Sequence, residues 1–554
     1  MRDANVHLAS DSLRQARAAI LPLMAVIALF SAAVNVLMLT GPVFMLQIYD
    51  RVLTSRSVET LVALFALVTF LFVMMGIMDL ARNRLLQRAA LRFQDALSPQ
   101  VFEAGLSSRS DGLRDLEAVR RAMASPALPA LFDLPWTPLF LGLIFLFHPM
   151  LGWLAALGGV ALVVAALLSQ LATRAPLSQA APHARAAART AALFRREAAR
   201  IRALGMVASG FVTWQGHRAR ADHATLVAAE RGVAFSVFTR SFRLFLQSLM
   251  LAAGAFLVLG GELGAGAMIV ASILMGRALA PVEQIVAQWP VLLAAREGWT
   301  QTARLLAHHP QPAPRTELPA PVARIEALGL GLHADRAGPP ILQGIGLRVG
   351  PGQVLGITGP TGAGKSTLAL ALTGALPLSA GQIRLGDAPI NHYPAEALAR
   401  HIGFLPQKVQ LFDGGIGQNI ARLSPAASSR QIIQAAQMAG ADPMINALQN
   451  GYDTRIEGDA PGLSGGQIQR IGLARACFGH PRILILDEPD SHLDQTGQAH
   501  LIQMIDKITL RGGAVIMVAH GAALLARCDL ILRIERGRAV SFGPNRAKER
   551  ALSR

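Results

Sequence analysis

The nine residues Gly359-Pro360-Thr361-Gly362-Ala363-Gly364-Lys365-Ser366-Thr367 combine glycines, a lysine and hydroxyls at the spacing of a phosphate-binding P-loop. Glycines let successive backbone N–H groups converge on phosphate oxygens, and a helix beginning after them points its positive end the same way. In that arrangement Lys365 reaches the β- and γ-phosphates, and the Ser366 hydroxyl holds Mg²⁺. The apolar run Val354–Thr358 leads directly into the motif and reads as a buried strand. A second apolar run, Ile483-Leu484-Ile485-Leu486, ends in Asp487-Glu488. As a strand beside the P-loop it would deliver both carboxylates to the carboxyl edge of the sheet, where open α/β sheets bind ligands. Asp487 is then the Mg²⁺ partner, through water. Glu488 is the group that polarises the attacking water, as general base or by orientation. Together these residue types can hydrolyse a nucleoside triphosphate.

Positioning them requires an α/β domain, and short β-type runs alternate with helical stretches from 322 to 545. Before it, Pro310, Pro312, Pro314, Pro319 and Pro321 stop helices and favour extended chain, so 308–321 reads as a linker. A short tail, 546–554, follows the domain.

The first half has another composition. Over its 554 residues the chain is 52% apolar but only 5% aromatic, and a mean hydropathy of +0.40 points to membrane spans. Uncharged stretches of about 20 residues, the length that crosses the hydrocarbon, predict six spans at about 18–40, 59–79, 127–147, 149–173, 243–261 and 263–282. They make up a membrane domain over 18–307, after a short N-terminal segment 1–17. No charge occurs from Ala18 through Tyr49, too long a run for a cleavable leader. The third span carries Asp133, which is expected near the interface where water can solvate it. Arg277 interrupts the sixth. Two segments, Arg82 to Arg121 and Arg174 to Arg240, are rich in arginine, whereas the opposite connections are short. Basic connections stay cytoplasmic, which puts both termini there. Their Ala/Arg composition predicts helices that run on beyond the bilayer, with turns near Arg109–Arg121 and Gly205–Gly216 placed to dock on the ATPase domain. The formal charge of +17 is thereby accounted for without nucleic acid. Cys477 and Cys528 are the chain's two cysteines, and they read as inert reduced thiols.

Between the two nucleotide motifs stands Leu463-Ser464-Gly465-Gly466-Gln467. With it the second half resembles the ABC-family ATPases, whose signature this is, and their motif order holds from about Val322 to Gly543. The resemblance implies that Gln407 senses Mg²⁺, water and the membrane domain. It also implies that Ser491-His492-Leu493-Asp494 forms the D-loop, and that His520 is the switch histidine on the γ-phosphate. Ser464, Gly465, Gly466 and Gln467 would contact the nucleotide of the opposite ATPase domain. One P-loop and one signature per chain then make no complete site alone, and a homodimer makes two. The family's adenine-stacking aromatic has no counterpart in Leu328–Ala337; His333 is either its substitute or an exposed loop residue.

Domain order and long basic extensions resemble ABC exporters: an all-α six-helix membrane domain followed by an α/β P-loop nucleotide-binding domain. Four segments are similar to type I secretion permease/ATPases of the PrtD-like kind. These are Leu39 through Val52, Asp133-Leu134-Pro135-Trp136-Thr137-Pro138, His148-Pro149, and Gly276-Arg277-Ala278-Leu279-Ala280-Pro281. That resemblance implies an inner-membrane homodimer in the lipid bilayer, working with a periplasmic membrane-fusion adaptor and a TolC-like outer-membrane channel. Its cargo would be an unfolded protein with a C-terminal secretion signal, and its cofactors ATP and Mg²⁺. Neither an N-terminal peptidase domain nor a cargo-holding one is expected. The alternatives are a lipid or small-molecule half-exporter and, from the basic charge, a soluble ABC ATPase acting on DNA.

Overall fold

The computed structural model describes residues 2–108, 111–308, 318–333, 338–458, 460 and 462–545. Arg109, most of the proline-rich stretch, residues 334–337 and the C-terminal tail lie outside the described residues. The chain forms two compact units, Met1–Pro312 and Ala313–Arg554.

Unit 1 is helical: α1 (Arg2–Leu37), α2 (Thr40–Gln47), α3 (Leu53–Ser55), α4 (Val58–Ser108), α5 (Gly112–Met123), α6 (Ala127–Asp133), α7 (Thr137–Phe147), α8 (Pro149–Arg196), α9 (Ala198–Ala203), α10 (Val207–Leu259), α11 (Ala265–Ala287) and α12 (Trp289–His308). Among the described residues six helical stretches are long and apolar enough to cross a membrane. Five of the six overrun the apolar intervals that mark the spans: α4, α8 and α10 reach 51, 48 and 53 residues, a π-helical turn at Ile48–Val52 carries the first stretch on to Ser55, and α11 runs on to Ala287. Arginine and alanine sustain a helix as well as leucine does, so the helix does not stop where the apolar run stops. Of the stretch 205–216, the turn itself is confined to Leu204–Met206, since α10 begins at Val207. Pro149 opens α8, where its missing N–H costs nothing, and the His148 ring accepts from Met150 N.

Two expectations about charge are corrected. Asp133 is not solvated by an interface: its side chain is 14% exposed. Its Oδ1 accepts from Ser31 Oγ (2.9 Å), Asn35 Nδ2 (2.7 Å) and Arg82 Nη1 (2.9 Å). Nor is Arg82 a loop charge, for it is 5% exposed and also pairs with Asp79 at 2.6 Å. The position that reads as the end of the second span lies inside α4, turned against α1 and α6. A charge at that depth persists because partners from three helices meet it.

Unit 2 is an α/β domain. A parallel sheet in the order β12-β11-β3-β10-β9-β6 contains β3 (Val354–Thr358), β6 (Ile402–Leu405), β9 (Ile483–Asp487), β10 (Ala514–Val518) and β11 (Leu530–Glu535), with antiparallel β12 (Arg538–Pro544) at one edge. An antiparallel sheet joins β2 (Pro340–Val349), β1 (Ile325–His333), β4 (Ala380–Leu385) and β5 (Ala388–Pro389). A two-stranded ribbon pairs β7 (Gly414–Gly415) with β8 (Arg455–Ile456). Continuous apolar runs form β3, β9 and β10 because both sheet faces are covered, so no polar alternation is tolerated. Cys477 and Cys528 are free and buried, and burial pushes the Cys477 thiol up to about 12.

Removing one partner of the buried cluster strands the other. Asp133→Ala should therefore destabilise unit 1 by about 3–5 kcal/mol, while Arg82→Leu combined with Asp133→Leu should recover most of the loss. Thermal unfolding in detergent reads this directly. An Asp133→Ala protein with an unchanged Tm would show that the cluster does not hold the helices together.

Candidate functional site

Glycine at 359 is required by space as well as by backbone. It sits at φ +146°, and a Cβ there would lie 2.0 Å from the Ile534 carbonyl oxygen. The chain can thus fold tightly from β3 into the exposed turn Pro360-Thr361-Gly362 and the buried Ala363. Gly364 caps the P-loop helix, Lys365–Leu372, which packs on β9 and β10. Lys365 is 7% exposed, and its ammonium donates to Gly359 O (2.8 Å) and Pro360 O (3.0 Å). Ser366 and Thr367 follow on the first turn.

Three adjacent parallel strands carry the rest. β10 lies between β3 and β9, so the carboxylate strand is not beside the P-loop strand; the histidine strand separates them. All three release the chain at one edge. His520 Nε2 consequently stands 3.6 Å from Glu488 Oε1. Gln407, just past β6, donates from Nε2 to Glu488 Oε2 at 2.9 Å. Each carboxylate oxygen of Glu488 is thus faced by a different segment. Glu488 itself has φ +48°, rare for a residue with a side chain. Its N–H donates to Val518 O at 3.0 Å, and Ser491 Oγ donates to its carbonyl at 2.8 Å, so the fold pins the strained backbone.

Asp487 is 3% exposed and its Oδ1 has no hydrogen-bond partner. Burial pushes its carboxyl above the usual carboxylate range, and the Glu488 charge adds to that; the Ser366 hydroxyl and the Lys365 ammonium pull it down. A buried, unpartnered carboxylate oxygen near a serine hydroxyl suits a hard divalent cation that keeps several waters, as Mg²⁺ does.

The signature lies elsewhere. Ser464 caps the helix Gly465–Cys477, accepting from Gln467 N (3.3 Å), while the Gln467 side chain accepts from Ser464 N (2.8 Å). That helix packs on β6, three strands from β3, which at about 4.8 Å per strand puts roughly 14 Å between the two strands. The sheet does not bring a chain's signature to its own P-loop strand. Gly466 lies against the loop after Glu488, where a Cβ would come 2.8 Å from His492 O. Sequence reasoning missed two residues here. Gln469, 2% exposed, donates to Pro489 O at 3.3 Å. Arg470 donates to Asp494 Oδ1 at 2.6 Å. Polar residues in an otherwise apolar helix were the available signal, but their partners are invisible along the chain.

Asp494 caps the helix Gln495–Leu510. The Thr496 hydroxyl, the Gly497 N–H and Arg470 hold its carboxyl down at about 2. His333 is exposed at the end of β1, its N–H donating to Ser379 Oγ at 3.2 Å.

The ABC transporter family profile matches residues 342–491. The chain is 38% identical over 550 residues to the type I secretion system ATP-binding protein PrsD of Rhizobium meliloti, covering 98% of this chain and 93% of that one. It is 28% identical to the alpha-hemolysin translocation ATP-binding protein HlyB of Escherichia coli O157:H7, over 92% of this chain and 74% of the relative. The leukotoxin translocation ATP-binding protein LktB of Mannheimia glucosida is likewise 28% identical, with 93% and 74% covered. A bacterial Atm1-family ABC exporter with ATP bound shares the fold, with a TM-score of 0.82 at 20% identity over 97% of this chain and 96% of that one.

The capped carboxylate makes a pH prediction. Because the folded pKa of Asp494 lies below the ordinary 3.8, its contribution is complete above that value and is lost as the pH falls through about 2. Asp494→Asn should melt below wild type at neutral pH, the difference closing as the pH falls from about 4 to about 2. A constant difference across that range would refute the assignment.

The helical and α/β units, the P-loop with its facing carboxylate and the 38% identity to PrsD over nearly the whole chain agree: this chain belongs to the type I secretion ATP-binding proteins of the ABC transporter family, which are ATP-hydrolysing multi-pass membrane transporters.

Proposed function

We propose that two copies of this chain, in a bacterial inner membrane with their ATPase domains in the cytoplasm, export an unfolded protein at the expense of ATP. The observation that carries the chemistry is Glu488, held in a strained conformation with Gln407 at 2.9 Å and His520 at 3.6 Å. The P-loop amides and Lys365 bind the phosphates. Ser366 and Asp487 would hold Mg²⁺, with Gln407 completing the set; the ion would neutralise charge on the β- and γ-oxygens. Glu488 orients or deprotonates the attacking water, and His520, beside it, would contact the γ-phosphate.

The width of the sheet supports completion in trans. A signature helix on β6 meets a P-loop across a twofold axis, so Ser464, Gly465, Gly466 and Gln467 would close over the partner chain's nucleotide. Ser491 and Asp494 tie that closure to Glu488, through the Ser491 hydroxyl on the Glu488 carbonyl and Arg470 on Asp494. Loss of the γ-phosphate releases the two halves, and the long helices carry the motion into the membrane. The kinship with PrsD, HlyB and LktB supports a protein cargo, with a C-terminal signal, an adaptor and a TolC-like channel completing the route. It favours protein over a lipid or small molecule.

Glu488→Gln should bind ATP, lose at least about 10²-fold in turnover and accumulate as an ATP-bound dimer in size-exclusion chromatography; near-normal hydrolysis would refute its role. A heterodimer of Lys365→Ala and Ser464→Arg chains contains one intact composite site. It should trap nucleotide where neither homodimer does; trapping by the Ser464→Arg homodimer would defeat completion in trans.

A further inference from the structure

Gln407 and Glu488 meet at 2.9 Å from different strands, and one helix touches the segments that follow both. On the helix that Ser464 caps, Gln469 and Arg470 bond to Pro489 and Asp494, beyond Glu488. Gly472 and Arg475, three residues apart and so on a common face, take the segment beyond Gln407. Gly472 leaves a notch there: a Cβ would lie 2.7 Å from Cγ2 of Val409, a branched side chain with few rotamers to escape into. Arg475 donates from Nη1 to Gln410 O (2.8 Å), from Nε to Asn419 O (3.0 Å) and from Nη2 to Asn419 Oδ1 (2.7 Å). Its guanidinium also lies 5.3 Å from the centre of the Phe412 ring.

Asn419 completes the clasp. It is fully buried, and its amide uses every valence. Nδ2 donates to Phe412 O (2.8 Å) and Gly415 O (3.1 Å), while Oδ1 accepts from Phe412 N (2.8 Å) and from Arg475. Among the described residues, every hydrogen-bond acceptor of Arg475 is thus an amide oxygen of the segment 410–419; none is a carboxylate and none belongs to its own helix. Arg422 caps that helix instead, donating from Nε to Arg475 O (3.0 Å) and from Nη2 to Ala476 O (3.1 Å). Burial draws the pKa of the Arg475 guanidinium below its ordinary value, and the Arg422 charge adds to that. A desolvated cation without an opposite charge is costly, and all its bonds go to the segment that follows Gln407. Gln407 itself stands two residues past the end of β6 and three before Gln410, so both of its flanks are fixed. We propose that Arg475 is a positioning residue for hydrolysis: it clamps the segment after Gln407 to the helix that Ser464 caps and so sets Gln407 against Glu488. The same helix, through Gln469 and Arg470, holds the segment after Glu488, and it serves as a common frame for the pair. This rests on the roles proposed for Gln407 and Glu488.

The test uses the full chain in nanodiscs and measures the single-turnover rate of ATP hydrolysis and the half-saturating ATP concentration. Arg475→Lys keeps the charge, but one ammonium cannot span three acceptors as the planar fork does. It should lower the rate about 10-fold or more, while half-saturation stays within about twofold of wild type. In a Gln407→Ala background the same substitution should lower the rate less than about twofold, because the group it positions is gone. Gly472→Ala favours the helix but drives a Cβ into Val409, and it should show the same dependence on Gln407. It decides the matter if Arg475→Lys does not fold. Equal losses with and without Gln407 overturn the clamp but leave the roles of Gln407 and Glu488 standing, and so does a wild-type rate in folded Arg475→Lys. A wild-type rate in Gln407→Ala overturns the role of Gln407 and this inference with it.

Discussion

Parallel strands leave a sheet at one edge, and that shared direction organises the nucleotide site. β3, β10 and β9 deliver the P-loop, His520 and Asp487-Glu488 to the same rim, so groups more than a hundred residues apart in the chain converge without any long loop to hold them. The strands are apolar and buried up to those ends, which makes the ends rigid platforms. Glu488 can then be held at an unfavourable φ, because the hydrogen bonds of Val518 and Ser491 to its backbone outweigh that strain.

The same sheet also divides. Its six strands place the helix that begins at Ser464 on the far edge strand, and the P-loop helix on the strands nearer the middle. A single copy's sheet therefore keeps Ser464 away from its own P-loop strand. Gln469 and Arg470 add a mechanical link, since they bond the helix that Ser464 caps to Pro489 and Asp494, in the segment that follows Glu488. The two bonds hold the helix that Ser464 caps to the loop that follows Glu488. Gly466 permits this closeness, having no Cβ to strike His492 O.

In the membrane domain the deciding constraint is the cost of charge at depth. Arg82 and Asp133 persist by meeting one another, with Ser31 bonded to both and Asn35 donating to Asp133. Arg277, by contrast, is exposed, and among the described residues its polar contact is the thioether of Met38. Charge alone does not separate these cases; company does.

Most of the chemistry was legible along the chain. Glycines before Lys365, and apolar runs ending at Asp487-Glu488, announce a phosphate site because local backbone freedom and strand burial are properties of adjacent residues. The six apolar stretches announce membrane helices for the same reason. What the chain could not announce was any arrangement that depends on which segments become neighbours. The insertion of β10 between β3 and β9, the bonds of Gln469 and Arg470, and the rescue of Asp133 by Arg82, fifty-one residues away, arise from packing. A hydropathy pattern reports how polar a position is, whereas only the tertiary structure decides whether its charge meets water, an opposite charge or nothing. Sequence determined the kinds of elements and the residues able to react; three-dimensional contact decided their partners, because pairing energy falls off with distance in space and not along the chain.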